Sequence, residues 1–165
     1  MSKARLIAQL RQQTDCLIHL ARQLTPEQAD FRLTPPQRST IELLRYLCTQ
    51  NPGVVDFIIT GGWDRWEHLD HRHAGLGLAA IPEALRASQR AVEEALAPWS
   101  DARLESRRVR MFWGEVLSMH DAIEASAVRY TIGYTMQVFL QAKAAGLSGI
   151  GTSDVWYGRA KAQAT

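Results

Sequence analysis

Apolar positions recur at steps of three and four residues along several stretches of the chain, which is the spacing of one face of an α-helix. The first stretch runs from about Lys3 to Leu24. Thr25-Pro26 is expected to end it, because the residue before a proline is pushed out of the α region. The pattern therefore predicts a long first helix, followed by a short turn at Pro26 to Ala29.

A second helical stretch begins at Ser39 or Thr40, either of which can serve as the N-cap. Its apolar face continues to Gly61-Gly62, where the helix is expected to end. Pro52 lies inside the pattern. A proline removes one helical hydrogen bond, so the helix is predicted either to kink there or to restart.

The segment from Trp63 to Leu78 is polar, aromatic and punctuated by glycines, which indicates a long connection. A third helix is predicted to begin at Ile81-Pro82, because proline is tolerated at the first helical position. Pro98 ends this helix.

Residues Trp99 to Gly114 form a second predicted connection, with a short extended piece at Val109 to Trp113. Ser118 is the predicted N-cap of a fourth helix. This helix is expected to run to Ala145, with Gly146 supplying the left-handed residue that follows a helix end.

Four predicted helices with two long connections favour an all-α fold, an antiparallel four-helix bundle in a single domain that covers residues 1–165. An open three-helix arrangement is the alternative if the kink at Pro52 is severe. The apolar fraction of 46% suffices for a full core.

Charge and composition narrow the classes of partner. The net charge of +2 is too small to imply a nucleic-acid partner. No run of eighteen apolar residues predicts a membrane span, and the N-terminus lacks the apolar core of a signal peptide. A cytoplasmic location is expected. Cys16 and Cys48 lie on apolar helix faces, where buried and unreactive thiols are expected.

Tyrosines hold the most distinctive positions in the helical pattern. Tyr130 and Tyr134 are four residues apart, so both rings lie on one face of the fourth helix. Tyr46 lies inside the second helix. Gln137 follows Tyr134 by three residues.

This layout resembles the DinB-like (YfiT-type) family of four-helix bundles. Its members typically carry one histidine on the second helix and a His-x-x-x-His pair on the last helix, followed by a glutamine and a closing glycine. Tyr46, Tyr130 and Tyr134 stand at the three histidine positions, whereas Gln137 and Gly146 keep the family's spacing. The resemblance implies the bundle fold. In members with an intact histidine triad it implies a divalent metal and thiol-transferase activity with low-molecular-weight thiols such as bacillithiol or mycothiol.

Tyrosine changes that chemistry, because a phenol has a pKa of about 10 and its deprotonation at pH 7 costs about 4 kcal/mol. We therefore expect that the metal site is lost and that the protein has no cofactor. Three interpretations stay open for Tyr46, Tyr130 and Tyr134: large core residues, a pocket whose hydroxyls face a small ligand, or a metal site. The sequence assigns no catalytic residue.

A second candidate is the tract from Glu67 to His73, which offers His68, His71 and His73 as a weak alternative metal set. The tract lies on the first predicted connection and has no second cluster at a known ligand spacing. A solvated polar loop is therefore favoured. His19 and His120 are isolated in the sequence and are expected to be hydrogen-bonded or partly exposed histidines.

The sequence thus predicts a metal-independent protein that binds a small molecule. One alternative is a metal-dependent enzyme of the thiol-transferase type that uses a different ligand set. Another is a structural or interaction protein that uses the Trp63 to His73 loop as its contact surface. A homodimer is predicted, because Trp63 and Trp66 lie on a connection that one bundle has little room to bury.

Overall fold

The computed structural model describes residues 2–160, and this part of the chain is predominantly α-helical, which confirms the all-α prediction. Only two short strands interrupt the helices of the described part. In chain order, the elements are α1 (Lys3–Ala21), α2 (Pro26–Ala29), α3 (Thr40–Thr60), α4 (Asp64–His73), a 3₁₀ turn (Leu78–Ala80), α5 (Ile81–Leu96), α6 (Asp101–Ser106), β1 (Arg108–Arg110), β2 (Val116–Ser118), α7 (Met119–Ile123), a π-helical turn (Glu124–Val128), α8 (Arg129–Ala144) and α9 (Thr152–Tyr157).

Two apolar clusters form the core. Helix α1 packs against α5 and α8, and α3 packs against α4, α5 and α8. One cluster joins Leu6 and Leu10 of α1 to Val55 of α3, and the other joins Leu17 of α1 to Leu44 of α3. The amphipathic stripes predicted from the sequence therefore face one another.

Helix α1 ends at Ala21, three residues before the predicted end at Leu24. The reason lies in the next helix. Thr25 adopts an extended conformation and its hydroxyl accepts a hydrogen bond from the Gln28 N–H, which starts α2 with Pro26 at its first position. The chain must leave α1 before that cap, although Leu24 remains buried. The predicted turn after Thr25 is confirmed as α2.

Helix α3 runs unbroken through Pro52, so of the two predicted alternatives, a kink or a restart, the restart is wrong. Proline has no N–H for the Cys48 carbonyl four residues earlier. That carbonyl instead accepts a hydrogen bond from the Ser88 hydroxyl on α5. Ser39 is the N-cap and Gly61, with φ of +83°, ends the helix as predicted.

The predicted connection from Trp63 to Leu78 is wrong in its first part, because Asp64–His73 forms helix α4. Trp66 packs directly over Gly53 of α3, where an added Cβ would lie 2.6 Å from Trp66 Cε3. This close approach pairs the two helices. Helix α4 therefore packs tightly on α3.

The second predicted connection is also partly structured. Its first half contains α6, and β1 pairs with β2 as an antiparallel hairpin in the register Arg108↔Ser118. The extended piece predicted at Val109 to Trp113 is thus displaced, since β1 ends at Arg110. Gly114 turns the hairpin with φ of +100°.

The fourth predicted helix is present but not uniform. Ser118 caps it by accepting a hydrogen bond of 3.0 Å from the Asp121 N–H, as expected. A π-helical turn separates α7 from α8. Just after that turn, the buried Thr131 hydroxyl lies 2.9 Å from Asn51 Oδ1 of α3. Helix α8 ends at Ala144, and Gly146 adopts φ of +94° as predicted.

Helix α9 docks against α1 through Asp154 and Val155, which are buried. His19 Nε2 lies 2.7 Å from Asp154 Oδ1, so His19 is the hydrogen-bonded histidine that was expected. None of the helices within residues 2–160 is both long enough and apolar enough to cross a membrane.

The two cysteines are buried free thiols, as predicted. Burial raises the pKa of the Cys48 thiol to about 12. Burial also raises the pKa of the Cys16 thiol, and the nearby Asp15 carboxylate adds to that effect. Both thiols therefore stay protonated and unreactive at neutral pH.

Candidate functional site: a tyrosine cluster beside an aromatic cavity

The structure brings the three predicted tyrosines together. The ring centroids of Tyr46 on α3 and Tyr134 on α8 are 5.3 Å apart, at an interplanar angle of 73°. Tyr130 lies one helical turn before Tyr134 and is close enough to influence the Tyr46 phenol. The three side chains are half-buried. They therefore border accessible space and are not sealed in the core.

Gln137, the fourth predicted pocket residue, lies on the same face of α8. It lines a shallow cleft of about 200 Å³ with Arg129, Tyr130, Gly133 and Tyr134. Tyr130 also borders a larger cavity, which Gln137 does not line. The tyrosines thus separate two spaces, and Gln137 belongs to the smaller one.

The larger space, here called the aromatic cavity, has a volume of about 460 Å³. Five of its lining side chains are aromatic. The described residues that line it are Tyr46, Val54, Trp63, Trp66, Glu67, Phe112 and Tyr130. They come from α3, α4, the hairpin turn and α8, so four separate parts of the chain build one site.

The rings of the aromatic cavity hold one another at steep angles. Tyr46 and Trp66 have centroids 5.7 Å apart at 63°, and Trp66 and Trp63 have centroids 5.6 Å apart at 86°. Trp63 in turn meets Phe112 at 5.5 Å and 60°. Phe57 of α3 stacks under Trp63 at 4.3 Å. Edge-to-face contacts of this kind fix the ring orientations, so the walls are preorganised.

A separate, polar cavity of about 380 Å³ also borders Tyr46. Arg38, Glu42, Arg45, Asp70 and His73 line it together with Tyr46 and Ala74. The Arg38 guanidinium lies 4.3 Å from the centroid of the Tyr46 ring. Charged groups therefore gather in this cavity, whereas the aromatic cavity is mostly apolar.

The tyrosine cluster does not fit a divalent metal ion. Burial raises the pKa of the Tyr46 phenol above its usual value, and the neighbouring Tyr134 and Tyr130 raise it further, although Arg38 acts in the opposite sense. A phenol that holds its proton this firmly is a poor ligand, because metal binding requires the deprotonated form.

The sequence favoured a solvated loop for His68, His71 and His73, but these histidines lie on helix α4. His68 and His71 are exposed, whereas His73 is buried, with Nδ1 2.9 Å from the Thr49 hydroxyl. Burial lowers the pKa of His73. It is therefore a neutral, hydrogen-bonded core histidine, separated by burial from the other two.

The possible metal ligands that do come together within residues 2–160 are His120, Asp121 and Glu124, whose ligand atoms all lie within 4.8 Å of one another. His120 is thus not isolated, as its sequence position suggested. Its imidazole is buried, and Nε2 has no hydrogen-bond partner. The Ser118 and His120 side chains hold the pKa of Asp121 below its usual value.

Sequence reasoning found the tyrosines but missed the rest of the aromatic cavity. Trp63 and Trp66 are three residues apart, which is a helical spacing, and this signal could have predicted a helix here, although α4 begins only after Trp63. Phe112 gave no such signal, because it reaches the site from a hairpin turn. Glu67 was grouped with the histidines, although it lines the aromatic cavity.

Comparison with known proteins adds no relative: no family model, no curated protein and no solved structure matches the chain. The site geometry is therefore the basis for a functional conclusion.

Proposed function

We propose that this protein binds a small organic molecule in the aromatic cavity and does so without a metal ion. The observation that carries the proposal is the cavity itself, an open space of about 460 Å³ lined by five aromatic side chains. Ligand sites are typically concave, mostly apolar and about 300–1,000 Å³ in size. The tyrosine hydroxyls add polar groups at the edge of this apolar space.

We further propose that the fold is an antiparallel four-helix bundle of the DinB-like type with its metal site lost. Polar contacts between α1 and α5 support opposite directions, because Arg11 meets Glu93 and Thr14 meets Gln89. Buried free thiols are compatible with a reducing compartment, and a cytoplasmic location belongs to this proposal.

The binding proposal is tested by titrating chelator-treated protein with N-phenyl-1-naphthylamine, a neutral dye whose emission rises in apolar surroundings. We expect saturable binding of one dye per chain. Trp66→Ala is expected to weaken binding at least about tenfold, because it removes a wall of the cavity. Trp156→Ala is the matched control, since Trp156 lies on α9 and is exposed. Equal affinities for the two variants would contradict the proposal.

The metal-dependent thiol-transferase alternative now has a specific candidate set in His120, Asp121 and Glu124. This candidate set does not include His68 or His71. Metal analysis of protein purified without chelator decides between the alternatives. Stoichiometric zinc, nickel or iron that is lost in His120→Ala would favour the enzyme.

The interaction-protein alternative rests on the hairpin, where Phe112, Trp113 and Val116 are exposed. Two tryptophans on a connection with little room to bury them were the reason to predict a homodimer. That reason is weaker in the structure, because Trp63 and Trp66 pack within their own chain against Phe57 and Tyr46. The homodimer stays a prediction. Sedimentation equilibrium tests it, and a Val116→Lys variant should dissociate a dimer that forms through the hairpin.

A further inference from the structure

We propose that the natural ligand of the aromatic cavity is a small organic cation of the quaternary or tertiary ammonium type. This inference rests on the proposed binding function and names its ligand class. Three features of the cavity favour such a cation: the orientation of its rings, the charge at its rim and the scarcity of hydrogen-bond acceptors.

The orientation of the rings suits a cation. Trp66 stands nearly perpendicular to Trp63 and is also steeply inclined to Tyr46, so the aromatic walls meet at corners. The face of an aromatic ring is negative and attracts a cation placed within about 6 Å of its centroid. Aromatic rings at steep angles to one another can turn more than one face towards the same bound cation. Two rings stacked in parallel cannot do this.

The Tyr46 ring already has a cation partner within the folded chain. The Arg38 guanidinium lies 4.3 Å from its centroid, in the polar cavity. Arg38 does not line the aromatic cavity. The ring is therefore a cation partner within the folded chain, and the arginine leaves the aromatic cavity itself free of positive charge.

The charge at the rim has the complementary sign. Among the described residues that line the aromatic cavity, Glu67 alone is charged, and it is exposed. A carboxylate beside aromatic walls attracts a positive ligand and repels a negative one. Anionic ligands are disfavoured for the same reason.

The lining also discriminates among cations. A primary ammonium group carries three N–H donors that need acceptors when they leave water. Beyond the Glu67 carboxylate, the lining side chains include only the Tyr46 and Tyr130 oxygens as acceptors, because the indole nitrogens of Trp63 and Trp66 only donate. A methylated ammonium spreads its charge over methyl groups that pack against rings without such bonds. The cavity therefore favours a substituted ammonium over a primary amine.

The test is a competition against bound N-phenyl-1-naphthylamine. The competitors are choline and 3,3-dimethylbutan-1-ol, which has nearly the same shape but no charge. We expect choline to displace the dye at a concentration about tenfold lower than its neutral analogue. Ethanolamine, the primary amine, should compete more weakly than choline.

The Glu67→Gln variant tests the contribution of the carboxylate charge, since the side chain is exposed and the exchange keeps its size. We expect choline affinity to fall about two- to fivefold. Dye affinity should change less than choline affinity, because the dye is neutral and is not attracted by the carboxylate. Asp64→Asn is the matched control, because Asp64 is an exposed acid on the same helix that does not line the aromatic cavity.

The possible results separate the two proposals. If the neutral alcohol competes as well as choline, or if Glu67→Gln leaves choline affinity unchanged, the cation inference is overturned while the binding function stands. If the dye itself does not bind in a manner sensitive to Trp66, the binding function fails and the ligand class fails with it.

Discussion

Gly53 is the residue on which the wall of the aromatic cavity most depends, because only a missing side chain lets Trp66 lie against α3. A Cβ at this position would meet Trp66 Cε3 at 2.6 Å and Trp66 Cβ at 3.2 Å. We predict that Gly53→Ala displaces the indole, lowers the free energy of unfolding by about 1–3 kcal/mol and weakens dye binding.

Urea unfolding and dye titration measure both effects. Gly133→Ala is the control, since an added Cβ there meets nothing within 4 Å and Gly133 is exposed inside α8. It should raise stability by about 0.5–1 kcal/mol, because alanine is the better helix former. A Gly53→Ala protein of unchanged stability would show that Trp66 does not pack as described.

A second prediction concerns the three clustered tyrosines. The Tyr46→His, Tyr130→His, Tyr134→His triple variant should gain affinity for a divalent ion, because neutral imidazole binds metal without the proton cost of a phenol. The unmodified protein should carry no stoichiometric metal, and chelator should leave its melting temperature unchanged. Elemental analysis and thermal unfolding test both statements, and a chelator-sensitive melting temperature in the unmodified protein would contradict the account.

Single residues also show what the sequence could and could not predict. The spacing of Tyr130 and Tyr134 places two rings on one face of a helix, so their proximity follows from local geometry. The position of Phe112 depends on where a hairpin folds back over α3 and α4. Such a long-range contact leaves no periodic trace in the sequence.

At the scale of elements, α3 and α5 are joined by a bond that compensates for a proline. Pro52 leaves the Cys48 carbonyl without its helical donor, and the Ser88 hydroxyl donates to it. We predict that Ser88→Ala lowers the free energy of unfolding by about 1–3 kcal/mol, because a buried carbonyl loses its partner.

A double-mutant cycle tests this assignment. In a Pro52→Ala background the new N–H can bond to the Cys48 carbonyl, so the Ser88→Ala change should cost much less. Equal costs in the two backgrounds, measured by urea unfolding, would show that the hydroxyl and the proline are independent.

Helix α9 is held by a carboxylate whose contribution should depend on pH. Burial alone would raise the pKa of Asp154, but hydrogen bonds from His19, the Gly151 N–H and Gln23 outweigh it and lower the pKa. A carboxyl whose pKa is lower in the folded than in the unfolded state stabilises the fold at pH values above about 3.9, the ordinary pKa of aspartate. This stabilisation is lost as the pH falls through the pKa of the folded state.

We therefore predict that Asp154→Asn lowers the free energy of unfolding by about 1–3 kcal/mol at pH 7. The difference from the unmodified protein should shrink below about pH 3.9. Asp30→Asn is the control, since Asp30 is exposed. Urea unfolding at several pH values measures the difference, and a difference that is independent of pH would contradict the role of this carboxylate.

Element boundaries were predictable where local chemistry sets them. Ser39 and Ser118 cap their helices, and Gly61 and Gly146 end theirs, all as expected from residue type. Helix α4 was missed because its sequence is polar and lacks the long apolar stripe that predicted the other helices, although α4 packs against α3. The π-helical turn was also not predicted, and its sequence shows no breaker residue that would have signalled it.

For the whole molecule, the apolar periodicity was sufficient to predict an all-α fold. It did not predict that the two connections carry α4, α6 and a hairpin, and these are the parts that contribute Trp63, Trp66 and Phe112 to the aromatic cavity. The helices thus supply a tyrosine-lined wall that the sequence pattern reveals. The connections supply the opposite walls, which depend on tertiary packing.

The most direct test of metal-independent binding at the aromatic cavity is an NMR titration of chelator-treated protein with N-phenyl-1-naphthylamine, followed through the indole N–H signals. The chain has five tryptophans, which serve as separate reporters. The account predicts that the signals of Trp63 and Trp66 shift in a saturable manner and that the signal of Trp156 does not. Shifts confined to Trp113 or Trp156, or binding that requires an added metal ion, would contradict it.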